Sequence, residues 1–149
     1  MMNLCATGPR TLTPEQTSAV SIITNGYISS ARLQSKSNFE LHVGDAKGVD
    51  YIASKVGREL GVPTKVHIVS KKYIKAAYAR RSMEMVDNCL GGIILGFPNK
   101  ICPEEVTPNN AFCGSGSGTW GTLAYAKKKG LKLLIFPLFE EIELPTWVG

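Results

Sequence analysis

A run of small residues between Cys113 and Thr122 is the strongest chemical signal in this sequence. It reads Cys-Gly-Ser-Gly-Ser-Gly-Thr-Trp-Gly-Thr and passes directly into an apolar, helix-like stretch, 123–129. The first N–H groups of a helix have no internal partner and carry partial positive charge. The run therefore predicts binding of a phosphate or another anion, with a flexible surface linker as the alternative. Its candidate ligand residues are Gly114, Ser115, Gly116, Ser117, Gly118, Thr119, Gly121 and Thr122.

Two further glycine-containing loops carry charged side chains that suit a ligand. Glycine permits close approach of the backbone to a ligand, and a guanidinium can hold a phosphate through two hydrogen bonds. Arg10 is therefore a candidate phosphate ligand, with a solvated loop arginine as the alternative. Asp50 has two interpretations: it holds a ligand hydroxyl, or it stabilises the start of a helix. The candidate ligand residues of these two loops are Gly8, Pro9, Arg10, Gly44, Asp45, Gly48 and Asp50.

Other residues with chemical potential lie on predicted helices and strands. Arg80 and Arg81 are helix neighbours roughly 100° apart, so we expect one to face the ligand and the other solvent, and both are candidates. Trp120 could stack on a ligand ring, but packing in the core at a helix start is favoured. His42 and His67 lie on predicted strands with no acidic or cysteine cluster beside them, and we expect both to be structural.

The composition predicts one ordinary globular domain. The chain has 149 residues, of which 44% are hydrophobic and 19% charged, enough for a core of its own. Its four cysteines form no Cys-x-x-Cys pair. Cys5 and Cys89 are expected in the core, while Cys102 and Cys113 receive no role. No apolar run approaches the roughly 18 residues of a membrane span, and the N-terminus lacks the features of a secretory signal. We therefore expect a cytoplasmic protein.

Apolar segments and turn signals predict strands that alternate with helices. Thr13, Pro14 and Gln16 predict a helix start with a capping box, and Asn25-Gly26 is a potential break in that helix. Strands separated by helices favour right-handed crossovers and parallel pairing. The predicted fold is a three-layer α/β/α, Rossmann-like domain with a mostly parallel sheet of about five strands. The predicted strands are 3–6, 39–43, 64–69, 92–95 and 131–136, and the predicted helices are 14–30, 49–60, 71–88 and 119–129.

This fold class brings the polar loops to one edge of the sheet. Ligands of such sheets bind beyond the carboxyl ends of the strands, where the strand order reverses. We expect the loops after residues 6, 43 and 95 to converge there with the glycine-rich run. Residues 1–137 are expected to form this domain, and 138–149 a tail that packs on it or serves self-association. The segment 99–113 is the longest irregular stretch.

These motifs, in this order, resemble the SLOG superfamily of Rossmann-like proteins, which includes the DprA and LOG families. The similarity is greatest to small YspA-like members, whose pattern runs roughly Gly-Ser-Arg, Gly-Gly-Ala-x-Gly-Ala-Asp, Arg-Asn-x-x-Met and Gly-Gly-Thr. It spans about residues 4–137 and departs at Pro9 and Asp45, and segment 99–113 looks inserted. Arg81 matches the YspA-like arginine, whereas Arg80 leads the LOG-like register. The resemblance implies a pocket for a nucleotide or nucleotide derivative.

A nucleotide-binding sensor or carrier without strong catalysis is the favoured function. LOG-type members instead cleave the N-glycosidic bond of nucleoside monophosphates with a glutamate three residues after a Gly-Thr pair. Alignment of Gly121 and Thr122 with that pair puts Tyr125 at the position of the glutamate. A phenol with a pKa of about 10 is neutral at pH 7, so this hydrolysis is the less favoured alternative. Its candidate catalytic carboxylates are Asp45, Asp50 and Glu84.

The net charge of +5 favours anionic partners. A second alternative is therefore DprA-like binding of single-stranded nucleic acid, since basic residues with interleaved aromatics suit single strands. An amphipathic helix with half-buried tyrosines explains the same pattern. The sequence calls for no metal and no cofactor beyond a bound nucleotide, and we expect a dimer and no membrane partner. The residues of this basic and aromatic pattern are Lys71, Lys72, Tyr73, Lys75, Tyr78, Arg80 and Arg81.

Overall fold

Five short strands alternate with four helices along the chain, as the sequence predicts. The computed structural model describes residues 2–35, 39–70, 76–114, 116–140 and 143–149. The strands are β1 (Met2–Thr7), β2 (Phe39–Gly44), β3 (Thr64–His67), β4 (Ile93–Gly96) and β5 (Lys132–Ile135). The helices are α1 (Pro14–Ser35), α2 (Val49–Glu59), α3 (Ala77–Asp87) and α4 (Gly118–Lys128), followed by a 3-10 turn at Thr146–Val148.

The strands form one sheet in the order β3-β2-β1-β4-β5, and all four neighbouring pairs are parallel. The predicted Rossmann-like α/β fold is therefore confirmed. The strand order reverses between β1 and β4, where Thr7 pairs with Gly96 at the carboxyl ends of both strands. Because the chain leaves these two strands toward opposite faces of the sheet, a crevice opens at this point.

Two apolar cores cover the two faces of the sheet. Successive strand residues point to opposite faces, and β1 follows this rule: Leu4 packs in one core and Cys5 in the other. The first core joins the sheet to α1 and α2, and the second joins it to α3 and α4. Cys5 and Cys89 are fully buried, which confirms their prediction as core residues.

Helix α1 begins as the sequence predicts but continues further. The Thr13 N–H donates to Gln16 Oε1 at 3.0 Å and the Gln16 N–H donates to Thr13 Oγ1 at 3.1 Å, which is the predicted capping box. The helix runs unbroken to Ser35, so the predicted end near residue 30 is wrong. Gly26 costs about 1 kcal/mol in a helix interior, and burial of Ile28 and Ala31 in the first core compensates for that cost.

Two other element boundaries differ from the sequence prediction. Strand β3 ends at His67 rather than at residue 69, because the Val69 N–H donates to the Asp45 carboxylate at 3.0 Å instead of to a neighbouring strand. Helix α3 begins at Ala77, and the earlier part of the predicted helix, 71–75, lies outside the described residues. Lys71, Lys72, Tyr73 and Lys75 therefore have no described position.

The described part of the C-terminal tail lies against the domain. The Trp147 ring meets Trp120 edge to face, with 6.1 Å between ring centroids, and Val148 packs on the second core. At the start of the tail, the Leu138 N–H donates to Pro98 O at 2.8 Å. None of the described helices is both long and apolar enough to cross a membrane.

Candidate functional site

A cavity of about 770 Å³ opens at the carboxyl edge of the sheet, at the reversal of strand order. The loops after β1, β2 and β4 and the glycine-rich start of α4 form its walls together with α3. The structure thus brings together the four loops that the sequence singles out. The sequence-predicted ligand residues that line the cavity are Gly8, Pro9, Arg10, Gly44, Asp50, Arg81, Gly114, Gly116, Ser117, Gly118, Thr119 and Thr122.

Two glycines hold the first two loops against each other. Gly48 has a φ of 77°, and a Cβ there would meet the Pro9 carbonyl. A Cβ on Gly8 would overlap the Val49 side chain, and the Val49 N–H donates to Pro9 O at 3.3 Å. Gly48 does not line the cavity, and its position shows contact between the two loops. Its role as a ligand residue stays a prediction.

The start of α4 presents backbone and small polar groups to the cavity. Ser117 caps the helix, because its Oγ accepts the Trp120 N–H at 3.2 Å. Gly118 and Thr119 form the first turn, where backbone N–H groups have no acceptor inside a helix, and both line the cavity. A Cβ on Gly118 would meet nothing within 4 Å. Lys100 Nζ donates to Gly116 O at 3.4 Å, which places a cation beside this turn.

Arg81 lies between two carboxylates at the opposite side of the cavity. Its Nη1 is 2.6 Å from Asp45 Oδ1 and 3.7 Å from Asp50 Oδ2, and 11% of its side chain is exposed. Asp45 Oδ2 also accepts the Val69 N–H, so Asp45 joins α3 to the end of β3 and does not line the cavity. The two carboxylates compensate the charge of Arg81. The sequence predicts Arg81 as a candidate phosphate ligand and does not predict these partners.

Asp50 is a buried carboxylate that lines the same cavity. It lies in the first turn of α2 with 6% of its surface exposed, and its Oδ2 accepts the Ala46 N–H at 3.1 Å. Burial raises the pKa of Asp50 to about 6, although the Arg81 charge and the Ala46 N–H act in the opposite direction. Both sequence interpretations of Asp50 are therefore compatible with its position, since it bonds a local N–H and faces the cavity.

Arg10 stands at the mouth of the cavity on an aromatic ring. Its guanidinium carbon is 4.6 Å from the centroid of Tyr78, and both residues are exposed and line the cavity. A guanidinium over a tyrosine face gains cation–π stabilisation and keeps its edge available for hydrogen bonds. This pairing could not be predicted from the sequence, because Arg10 lies in the loop after β1 and Tyr78 lies on α3.

The irregular segment 99–113 supplies a wall of the cavity that no motif predicts. Lys100, Phe112 and Cys113 line it. Phe112 also packs where a Cβ on Gly121 would lie, so Gly121 permits close packing of this segment on α4 and does not line the cavity. The role of Gly121 as a ligand residue stays a prediction. An irregular segment has no hydrophobic periodicity, so its position beside the cavity could not be predicted from the sequence.

Three further predicted residues lie away from the cavity. Arg80 is exposed and does not line it, in agreement with the expectation that only one of the two arginines faces the ligand. Glu84 faces His67 instead, at 3.5 Å. Tyr125 donates to Asp87 Oδ1 at 2.8 Å, and burial together with that carboxylate raises its pKa to about 12. Glu84 does not line the cavity. Ser115 lies outside the described residues.

His42 and His67 form a buried pair beneath α3. His42 Nδ1 and His67 Nε2 are 3.0 Å apart, and their rings stack. Each ring has one glutamate near it: Glu40 is 3.5 Å from His42, and Glu84 is 3.5 Å from His67. Burial lowers the pKa of both histidines. The pair packs between β2, β3 and α3, which agrees with the expectation that both histidines are structural.

Trp120 is fully buried, and its Nε1–H donates to Lys100 O at 2.8 Å. Its prediction as a core residue is confirmed. Among the described ranges, no three His, Cys, Asp or Glu side chains come together as a group that could hold a metal ion.

The fold is similar to two solved structures. One is the X-ray structure of DNA processing protein A (DprA) from Streptococcus pneumoniae, with a TM-score of 0.64 and 16% identity over 99% of this chain. The other is DprA from Helicobacter pylori, whose structure was described for its single-stranded DNA binding mode, with a TM-score of 0.58 and 15% identity over 96% of this chain. The chain spans 54% of the first protein and 68% of the second.

No protein-family model and no curated protein sequence matches the chain. Identities of 15% and 16% establish a shared fold and nothing finer. The arrangement of five parallel strands and four helices is thus a DprA-like Rossmann fold.

Proposed function

We propose that this protein binds a phosphate-bearing nucleotide at the carboxyl edge of its sheet, and that it is a SLOG protein of the YspA-like kind. The observation that carries the proposal is the cavity of about 770 Å³ between the glycine-rich start of α4 and the loops after β1 and β2. That volume lies within the range of small-molecule sites, roughly 300–1,000 Å³.

The walls of the cavity differ in what they offer a ligand. The first turn of α4 provides backbone N–H groups with partial positive charge, and Lys100 lies beside it. On the other side, Arg81 is already paired with Asp45 and Asp50. A phosphate is therefore more stable at α4 than at Arg81. Arg10, at the mouth, is the arginine available to a second phosphate or to a base.

The test begins with mass spectrometry of small molecules released when freshly purified protein is denatured. Nucleoside monophosphates are then titrated into wild type and a Gly118→Val variant by calorimetry. Because the space above Gly118 is open, valine fits the protein but occupies the position of the phosphate. We expect micromolar binding that weakens at least tenfold in this variant. Gly26→Val, in an exposed part of α1 that is also open, is the matched control.

The outcomes separate the candidate functions. Co-purified nucleotide, or binding lost only in Gly118→Val, supports the proposal. Equal binding by wild type and Gly118→Val would reject the α4 site. Appearance of free base and ribose phosphate during the titration would indicate hydrolysis of the N-glycosidic bond, with Asp50 as the carboxylate in the cavity.

Single-stranded DNA is the second candidate ligand. It is favoured by the likeness to Helicobacter pylori DprA, a protein described as binding single-stranded DNA. The net charge of +5 and the exposed Arg10–Tyr78 pair at the mouth of the cavity fit a strand that enters with one nucleotide. In this case the α4 turn would hold a backbone phosphate of the strand instead of a free nucleotide.

A further inference from the structure

Asp50 is the acidic side chain that the cavity presents to its ligand. It is buried to the extent that 8% of its side chain remains exposed, yet it lines the cavity. Asp45, the other carboxylate of the loop after β2, does not line the cavity. Burial of a charged group is costly unless partners compensate, so the retention of a carboxylate here calls for an explanation.

The partners of Asp50 leave part of the carboxylate open. Among the described residues, hydrogen bonds reach Oδ2, from the Ala46 N–H, and Arg81 Nη1 lies 3.7 Å from the same atom. Arg81 makes its shorter contact, 2.6 Å, with Asp45. Each carboxylate oxygen can accept about two hydrogen bonds. Oδ1 of Asp50 is therefore an acceptor without a protein donor in the described part of the chain.

The rest of the cavity limits what can reach this acceptor. A ligand phosphate is attracted to the first turn of α4 and repelled by the Asp45 and Asp50 carboxylates. The part of the ligand that meets Asp50 must therefore carry hydrogen-bond donors and no negative charge. In a nucleotide bound through its phosphate, the nearest such donors are the hydroxyl groups of the sugar.

We propose that Asp50 accepts hydrogen bonds from the ribose hydroxyls of a nucleotide whose phosphate lies at α4, so that the site favours ribonucleotides over 2′-deoxyribonucleotides. The inference rests on the proposed nucleotide-binding function. A ribose offers two adjacent O–H donors to the carboxylate, whereas a deoxyribose offers one. A hydrogen bond to a charged acceptor in a buried site changes affinity by about tenfold or more.

The test compares each of the four common ribonucleoside monophosphates with its 2′-deoxy counterpart by calorimetry. We expect wild type to bind the ribonucleotide at least tenfold more tightly, and Asp50→Asn to reduce that ratio to near one. Asp45→Asn is the matched control, since it makes the same chemical change on a carboxylate that does not line the cavity. Because Asp45 shares Arg81 with Asp50, the size of the ratio can change in this variant, but the preference for the ribonucleotide should remain.

A second readout is the pH dependence of the ratio. The charged groups facing Asp50 are Arg81, Asp45 and Arg10, and its own pKa is about 6. Protonation converts the carboxylate into a weaker acceptor, so the wild-type ratio should fall between pH 7.5 and pH 5. The Asp50→Asn ratio should stay constant over that range, which a merely structural role of Asp50 would not produce.

The failures of the two proposals are distinguishable. Equal affinity of wild type for ribo- and deoxyribonucleotides overturns the role of Asp50 while leaving nucleotide binding intact. An unchanged ratio in a folded Asp50→Asn protein, as judged by its thermal unfolding, does the same. Absence of binding to every nucleotide in the set overturns both proposals.

Discussion

At the scale of single residues, the carboxylates of Asp45 and Asp50 share one arginine but have different environments. Asp45 bonds Arg81 directly and also accepts the Val69 N–H, with 31% of its side chain exposed. Asp50 is more deeply buried and lies further from Arg81. The charge of Arg81 is therefore paired mainly with Asp45, whereas burial makes ionisation of Asp50 oppose folding.

Asp50→Asn is expected to stabilise the protein at neutral pH. The folded-state pKa is raised from 3.8 to about 6, which corresponds to on the order of 3 kcal/mol. The neutral form is favoured in the folded state, so this penalty is absent below pH 4, grows as the pH rises and is complete above pH 6. Loss of one partner of Arg81 makes 3 kcal/mol an upper limit. We expect the melting temperature to rise by several degrees at pH 7.5 and to change little at pH 4.

Asp45→Asn is the control for this measurement, because we expect it to change the melting temperature in the opposite direction. It removes a 2.6 Å ion pair with Arg81 and should lower the melting temperature at pH 7.5. A melting temperature of Asp50→Asn at or below that of wild type would show that the buried carboxylate is fully compensated. In that case the protein alone would account for the buried Asp50 carboxylate, and no ligand would be needed to explain it.

The residue types of the site could be predicted from the sequence, but their pairing could not. Glycine and serine before an apolar run predict a helix start, and Ser117 and Gly118 lie there. The sequence gives no distance between Arg81 and Asp45, which are 36 residues apart. The assignment of Arg81 to a phosphate therefore missed the carboxylates that compensate it.

At the scale of elements, apolar periodicity predicted every strand and helix, because each buries one face. The errors are at the ends, where a side chain competes with the regular ladder. The Asp45 carboxylate takes the Val69 N–H and ends β3 early. The histidine pair was missed for a different reason: His42 and His67 are 25 residues apart in the sequence and meet only when β2 and β3 pair.

The histidine pair should make the contact between α3 and the sheet sensitive to acid. Burial lowers the pKa of both residues below 6.5 in the folded state, with Glu40, Glu84, Lys65 and Arg81 as the charged neighbours. The unfolded chain then binds more protons below pH 6.5, so stability falls as the pH falls through that value. Two protonated rings could not keep the 3.0 Å hydrogen bond, because all four nitrogens would be donors.

The measurement is thermal unfolding from pH 7.5 to pH 5 in wild type and in the double variant His42→Asn with His67→Gln. The amides replace Nδ1 of His42 and Nε2 of His67 as hydrogen-bonding groups but do not titrate. We expect wild type to lose more stability than the double variant over this range. Asp50 acts with the opposite sign in both proteins and cancels in the comparison. Parallel curves for the two proteins would contradict the prediction.

At the scale of the whole molecule, the parallel sheet and the edge at which the cavity opens follow from the alternation of elements, whereas the strand order is known only from the structure. A parallel sheet has its crevice at the carboxyl ends of the strands, where the strand order reverses. The sequence could therefore predict that the site lies at the carboxyl edge of the sheet. The wall formed by segment 99–113 could not be predicted, since its shape depends on packing of Phe112 over Gly121. That wall forms one side of the cavity.

Competition between the two candidate ligands decides which of them the cavity serves. A labelled oligodeoxythymidine is titrated with protein at several salt concentrations, with and without excess nucleoside monophosphate. If a strand uses the cavity, its affinity should fall steeply with salt, since backbone contacts release counterions, and Gly118→Val should weaken it. Arg10→Ala should weaken it further, because Arg10 stands at the mouth.

Displacement of the strand by the nucleotide would place both ligands in this cavity. Strand binding unaffected by nucleotide and by Gly118→Val would assign the DNA to another surface. If the nucleotides bind in the calorimetric titration as well, the cavity belongs to the free nucleotide, and the ratio of ribo- to deoxyribonucleotide affinity describes its specificity.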